Sequence, residues 1–316
     1  MNNKKLDVII PIVKVDIPTF RGNLPYILNN LPVKRIILIG AKEIELLVND
    51  LKEVHFINED NIIPGLTLNK IKEIKKDISG TERRSGWYFQ QFIKMAYAQI
   101  CNDEYYLVWD SDTIPIKKIV FFDRDGKPYL DYREHVKYDE CFFRTQKVLM
   151  TNKKLNRTTD NSFICEHLLV NVHIMRNLLH DLEIFGTAQK HTFFENIMYS
   201  ISKDLINLSG FSEFETYASY VMNEYPNTHI LRYWRNLRNA GIYIGKNLSK
   251  SNVKWLSESF DVISVEDFNP QWFICKFIAW IDSKHKVQFS TVYKIIQPIY
   301  NVVYNLRFKV RNIVNK

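Results

Sequence analysis

The sequence predicts an α/β fold: a mostly parallel central sheet flanked by helices, with a helical extension at the C-terminus. Two observations carry this. Short runs of β-branched and aromatic residues alternate with longer amphipathic stretches, the pattern of βαβ units. The first two runs, DVIIPIV and RIILIG, are also apolar rather than alternating, as expected of strands covered on both faces.

In chain order, DVIIPIV (7–13) is the first strand, RIILIG (35–40) the second and VHFINED (54–60) the third. AKEIELLVNDL reads as a helix between the second and third. TLNKIKEIKKDI is polar and amphipathic, and the loop SGTERRSG follows it. WYFQQFIKMAYAQI (87–100) has helical spacing and leads into the strand YYLVW (105–109). FFDRDGKPYL (121–130) reads as a hairpin turning at Asp125-Gly126. FSEFETYASYVMNEY (211–225) opens with Ser212 and Glu215 spaced as a capping box. THILRYW (228–234) and FDVISV (260–265) are the last strands.

The composition is that of a globular chain, 46% hydrophobic and 25% charged. The four cysteines are widely spaced and form no CxxC, which fits a reducing cytosol better than a zinc site or a disulfide framework. No signal peptide is expected, because Asp7 and Pro11 break the first apolar run. WFICKFIAWI (272–281) is too short to span a bilayer and contains Lys276. The net charge is +8, and Lys284, Lys286, Lys294, Arg307, Lys309, Arg311 and Lys316 supply +7 of it beyond Asp282 without one acid. We therefore divide the chain into a body, residues 1–282, and a basic tail, residues 283–316. In the tail, Ile299, Val303, Leu306, Val310 and Ile313 recur at helical spacing, with Pro298 expected to limit the helix. A basic amphipathic helix suits peripheral contact with an anionic membrane; docking on the body is the alternative.

The chemistry concentrates at the end of YYLVW. Asp110 and Asp112 stand one residue apart there, and two such charges repel unless a cation lies between them. In parallel sheets ligands bind beyond the carboxyl ends of strands. Paired carboxylates in that place suit a hard divalent cation, Mn²⁺ or Mg²⁺, whose shell is completed by water and phosphate oxygens. The second D-x-D, Asp123 and Asp125, reads as turn chemistry because Asp125 precedes Gly126.

Five stretches in order, SGWYFQQFIKM, YYLVWDSDTIPI, FFDRDGKPYL, SFICEHLLV and GFSEFETY, resemble the GT-A (Rossmann-like) glycosyltransferases over roughly residues 6–245. The group most similar is a bacterial set from surface-polysaccharide loci. The resemblance implies a UDP- or GDP-sugar donor and a glycan or lipid-linked acceptor; the cysteine usage suits a cytoplasmic enzyme, and the basic tail, where it is not docked on the body, suits peripheral contact with the inner face of the membrane. It implies that Asp112 ligates the metal and that Asp110 binds donor hydroxyls or the metal through water. Pro11, Arg84, Lys94 and Ser111 would complete the donor site, Lys94 facing the donor sugar and phosphate. Glu213 and Glu215 become candidates for the base that deprotonates an acceptor hydroxyl, and His229 for a third metal ligand. Arg232 and Arg235 suit phosphate, and Glu166-His167 could touch a substrate or form a buried pair. Trp87 reads as core packing.

Two other classes compete. Phosphatases of the haloacid-dehalogenase type also place D-x-D after a strand, but near the N-terminus and with Thr or Val where Ile114 stands here. A non-enzymatic nucleic-acid or membrane-binding protein would use the basic tail, but no nucleic-acid-reading motif is visible and none is expected as a partner.

Overall fold

The computed structural model describes residues 4–134, 140–153, 155–245, 248–265, 271–282 and 285–314, the side chains of residues 279, 281 and 304–314 excepted. The chain forms two compact units: residues 1–113 with 119–234, and residues 114–118 with 235–316. The segment read as a tail thus groups with residues 235–282.

The first unit is built on a five-stranded sheet. Its strands are β1 (Leu6–Pro11), β2 (Val33–Gly40), β3 (Val54–Asn58), β4 (Tyr105–Trp109) and β8 (His167–Asn171). The order is β3-β2-β1-β4-β8. β1 pairs in parallel with β2 and with β4, and β2 with β3; only β8 runs antiparallel, setting Trp109 opposite His167. This is the expected α/β class with a mostly parallel sheet. The apolar runs explain it, since the β1 residues Val8, Ile9 and Ile10 and all of Tyr105–Trp109 are buried. Asp7 is the exception inside β1. It is buried but bound by the Arg35 guanidinium, and it accepts from the Tyr97 hydroxyl at 3.2 Å, as a buried carboxylate requires.

Helices α1 (Ile17–Asn30), α2 (Glu45–Val48), α3 (Leu68–Ser79) and α4 (Ser85–Ala96) lie between the parallel strands in sequence. The sequence reading does not include α1, whose Pro18 and Pro25 hide it. Pro18 stands in the first turn, where its missing N–H costs nothing, and Pro25 lies inside the helix. α2 is a single turn preceded by a 3₁₀ turn, shorter than the predicted helix. α3 is capped as its sequence suggests: Thr67 Oγ1 accepts from the Lys70 amide, and Gly80 adopts φ 73° past the last turn.

A second sheet joins β6 (Tyr129–Glu134), β7 (Asn161–Ser162) and β9 (Ile230–Tyr233) in the order β7-β6-β9. The predicted hairpin at 121–130 is present in short form: Phe122 bridges Pro128 in antiparallel sense, and the Asp123 and Tyr129 amides donate to the Lys127 and Phe121 carbonyls at 2.9 Å. Asp123 makes the turn: its Oδ1 accepts from the amides of Asp125 and Lys127 at 3.0 and 2.7 Å. Helices α5 (Glu140–Gln146), α6 (Val172–Phe185), α7 (Phe193–Ser200) and α8 (Glu213–Glu224) complete this unit. One apolar core links α3, α4, α6, α7 and α8 with β4 and β8.

The second unit holds a three-stranded sheet, in the order β10-β11-β5, of β5 (Thr113–Pro115), β10 (Asn236–Leu237) and β11 (Val262–Ser264). Its helices are α9 (Ala240–Ile244), α10 (Lys250–Ser257), α11 (Phe273–Ile281) and α12 (Phe289–Val314). α12 continues through Pro298, contrary to the expected break. Its first half is no free tail: Phe289, Val292, Ile296 and Tyr300 are buried, and the Phe289 ring meets Tyr243, Trp255 and Phe260 edge-on. Lys284 and Lys316, and the side chains of Leu306, Arg307, Lys309, Val310, Arg311 and Ile313, lie outside the described residues.

A truncation follows from this. Deleting residues 289–316 should abolish cooperative melting of the second unit, because four buried side chains, each worth about 1.5–3 kcal/mol, are lost. Calorimetry against the full chain distinguishes this from a dispensable tail, which would leave the two melting alike.

Candidate active site

The strand order reverses between β1 and β4. The chain leaves β1 for β2 and β3 on one side and returns to β4 on the other. At such a switch point the loops after the two strands diverge and open a crevice. A cleft of about 450 Å³ lies there. Pro11, Ile12, Val13 and Asp16 line it from the end of β1, and Asp110, Ser111 and Asp112 from the end of β4. Trp87 and Gln90 of α4 form another wall, and Glu59, just past β3, a further one.

The D-x-D turn is held from four directions. The Asp110 amide donates to the Glu166 carbonyl at 3.1 Å, and the Thr113 amide donates to the Asp110 carbonyl at 3.1 Å. The Trp109 indole N–H donates to the Thr113 carbonyl at 2.8 Å. Asn23, buried in α1, donates to the Ser111 carbonyl at 3.0 Å. Both carboxylates are therefore presented by a backbone fixed on all sides, the condition for precise placement of a ligand.

A cation lies beside them. Lys94, on α4, is 4% exposed. Its ammonium donates to Asp110 Oδ1 at 2.8 Å and to Glu213 Oε1 at 2.9 Å, and stands 4.7 Å from the Phe214 ring centroid. Burial alone would pull this ammonium's pKa down, but Asp110 and Glu213 outweigh it and hold it above the ordinary lysine value. Lys94 is thus a buried ion-pair centre reaching α8 through Glu213 and the motif loop through Asp110.

The other candidates sort by position. Glu213 is 4% exposed, and burial raises its carboxyl pKa while Lys94 pulls against it. It is buried against the lysine and is not among the residues lining the cleft. Glu215 is fully buried; its Oε1 accepts from Ser162 Oγ at 2.6 Å and from the Phe163 amide at 2.8 Å, tying α8 to β7. The cap on α8 is Ser212 Oγ, which accepts from the Glu215 amide. His229 lines a different cavity, with Asn102–Tyr105 at the other end of β4. Five residues of strand separate it from Asp110, roughly 17 Å, too far for one ion. Burial and Lys127 lower its pKa to about 4.

Arg84 caps the start of α4 in the left-handed region, φ 69°, and its guanidinium lies 4.5 Å from the Trp87 ring centroid. Trp87, expected as core, packs against the core and also lines the cleft. The arginines read as phosphate contacts are engaged elsewhere. Arg232 forks onto Asp131, which also meets His167 Nε2 at 2.8 Å, and Arg235 forks onto Asp261. His167 is a buried residue ringed by Trp109, Phe121 and Trp234.

Sequence reading missed Glu59 and Asp16. Burial, with Asp60 and Glu43 adding to it, pushes the Glu59 carboxyl up to about 7. The signal was present, since VHFINED ends in acids at the carboxyl end of a strand. Among the described residues no group of three or more His, Cys, Asp or Glu side chains could hold a metal ion.

The model of a family of unknown function, DUF6492, matches residues 35–304, and the chain belongs to that family. No curated protein matches the sequence. Among solved structures, mouse xyloside xylosyltransferase 1 in its apo form is similar at 11% identity and TM-score 0.43, over 84% of this chain and 99% of that one. An active-site mutant of LgtC is similar at 12% and 0.41, over 90% and 98%. The apo bifunctional glycosyltransferase WbbM is similar at 12% and 0.43, over 84% of this chain but 46% of its own length.

The ion-pair centre makes a testable demand. Lys94→Met should destabilise the fold by about 3 kcal/mol or more, because it strands Glu213 and Asp110 without their cation. Adding Asp110→Asn and Glu213→Gln to it should restore much of the loss. Chemical denaturation of the three proteins measures this; a Lys94→Met protein as stable as wild type would remove the centre from the account.

Proposed function

We propose that this member of DUF6492 is a metal-dependent GT-A glycosyltransferase. It moves a sugar from a UDP- or GDP-sugar to a glycan or lipid-linked acceptor in bacterial surface polysaccharide biosynthesis. The observation that supports this most is the D-x-D loop at the carboxyl end of β4, facing a cleft at the switch point of the sheet. The five motif stretches add to it, since three of them, around Lys94, Asp110 and Glu213, meet in one ion-pair cluster.

The donor set fits Mn²⁺ or Mg²⁺: hard carboxylate oxygens, few in number, beside space for a diphosphate. Asp112, with Asp110 directly or through water, would hold the ion. When bound, it would act as a Lewis acid on the leaving diphosphate. The chain's own residues do the rest. Asn23 and Trp109 fix the loop, and Lys94 balances Asp110, so that charge repulsion does not spread the pair. Trp87, Pro11 and Ser111 line the cleft and would flank the donor. Arg84, just before α4, lies against the Trp87 ring that lines the cleft. Glu213 acts through Lys94 and is a positioning residue in this reading. Contact of the basic C-terminal segment with an anionic membrane, on the cytoplasmic face, would bring the enzyme to a lipid-linked acceptor. Among the described residues no helix is long and apolar enough to cross a membrane.

The test is a panel of nucleotide-sugars with Mn²⁺, following release of the nucleoside diphosphate. Asp112→Asn should reduce turnover by at least about 100-fold, the scale of losing one group aimed at developing charge, with its melting temperature retained. Asp125→Asn should turn over as wild type, because Asp123 holds that turn and residue 125 is exposed. Full activity of Asp112→Asn, or loss in Asp125→Asn alone, contradicts the assignment.

A further inference from the structure

The second unit carries an exposed aromatic face that the catalytic reading does not use. In α11, Phe273 is 81% exposed, Trp280 77% and Phe277 51%, with Ile274 also exposed. At about 100° per residue these four positions fall on one side of the helix. Lys276 is exposed at its rim, and Cys275, on the opposite side, is buried. The Phe277 and Trp280 rings stack on each other with centroids 5.9 Å apart. α12 repeats the pattern within the same unit: Ile295, Ile299 and Val302 are exposed while Val292, Ile296 and Tyr300 face inward. The Trp272 ring, at the start of α11, lies 5.4 Å from Tyr300 of α12. Scattered exposed apolar residues are ordinary; a contiguous aromatic face is not.

We infer that α11 is a membrane-seating helix, which lies in the interface of an anionic bilayer with Phe273, Phe277 and Trp280 inserted. Length supports this occupant. Nine residues reach about 13 Å, too short to span a bilayer but suited to lying in its plane with one face immersed. Residue type supports it too, since tryptophan is favoured at the level of the headgroups. Charge selects an anionic surface: beyond Asp282 the chain carries seven basic residues and no acid, each worth attraction to an anionic leaflet. A second copy of the chain is the poorer occupant, because it would bring the same uncompensated positive segment. The inference deepens the membrane contact proposed above and shares its partner, but it moves the anchoring from the tail's charges to the apolar face of α11.

Vesicle flotation of the full-length protein tests it, using phosphatidylcholine vesicles with and without phosphatidylglycerol. The wild type should float with the anionic vesicles and show a blue shift of tryptophan emission. Phe277→Ser with Trp280→Ser should lower partitioning by about tenfold or more at an unchanged melting temperature, since both side chains are exposed. Trp280→Phe alone should keep most of the binding. A second variant, Arg307→Gln, Lys309→Gln and Arg311→Gln, should weaken binding mainly at low salt. The inference is overturned if the α11 double variant floats like wild type, or if the wild type floats with neither vesicle. It is also overturned if the double variant converts a dimer to a monomer in gel filtration while flotation persists. Loss in the tail variant alone would leave a purely electrostatic contact and sink the role of α11. Flotation needs no donor or metal, so failure of the glycosyltransferase reading would show in turnover and not here.

Discussion

A single buried ammonium organises the first unit. Lys94 reaches its two carboxylates from the middle of the core, with Tyr106 donating to its backbone carbonyl at 2.7 Å. Asp110 belongs to the motif loop and Glu213 to the first turn of α8, so one side chain fixes three elements. Removing charges from water is costly, and the cost is met only when each has its partner at hydrogen-bond distance. The arrangement therefore tolerates little drift. If α4 rotated or α8 slid, a carboxylate would be left in the core without its cation. Two neighbouring carboxylates at the end of β4 are possible in a folded protein because this cation already lies beside one of them.

Position in the sheet supplies the other half. β1 and β4 are neighbours whose connections run to opposite sides, and the cleft is what that divergence leaves open. Gly40, ending β2, shows how closely the loops are drawn there: a side chain at that position would meet the Ile12 carbonyl at 2.6 Å, and Ile12 lines the cleft. The wall is thus set by backbone packing from β2 as well as by its own residues. The carboxylates of Asp16, Asp110 and Asp112 on its walls give a cleft that a bare diphosphate would avoid and that a diphosphate carrying a divalent cation would suit.

Much of this was legible in the sequence, for local reasons. β1 to β4 are apolar runs with clear ends, and the motif stands at the end of one of them. The resemblance singles out Lys94, sixteen residues before Asp110, but not its burial. A lysine on a helix reads as solvated unless one knows that a second acid, over a hundred residues away, will pack against it. The pairing of Glu213 with Lys94 was hidden for the same reason, since the two are 119 residues apart. His229 looked like a late ligand because linear order says nothing about which end of the sheet a loop reaches. Pro18 and Pro25 concealed α1. Pro298 looked like a stop, yet α12 runs on and packs its first half into the second unit, which charge counting alone cannot reveal.

The central claim is that Lys94 commits Asp110 to the ion-pair centre, so that Asp112 is the carboxylate on which metal binding turns. Electron paramagnetic resonance of Mn²⁺, titrated into the protein with a nucleoside diphosphate, tests this most directly when Asp110→Asn and Asp112→Asn are compared. The account predicts that Asp112→Asn loses bound Mn²⁺ while Asp110→Asn retains it with weakened affinity. Retention in Asp112→Asn and loss in Asp110→Asn would contradict it.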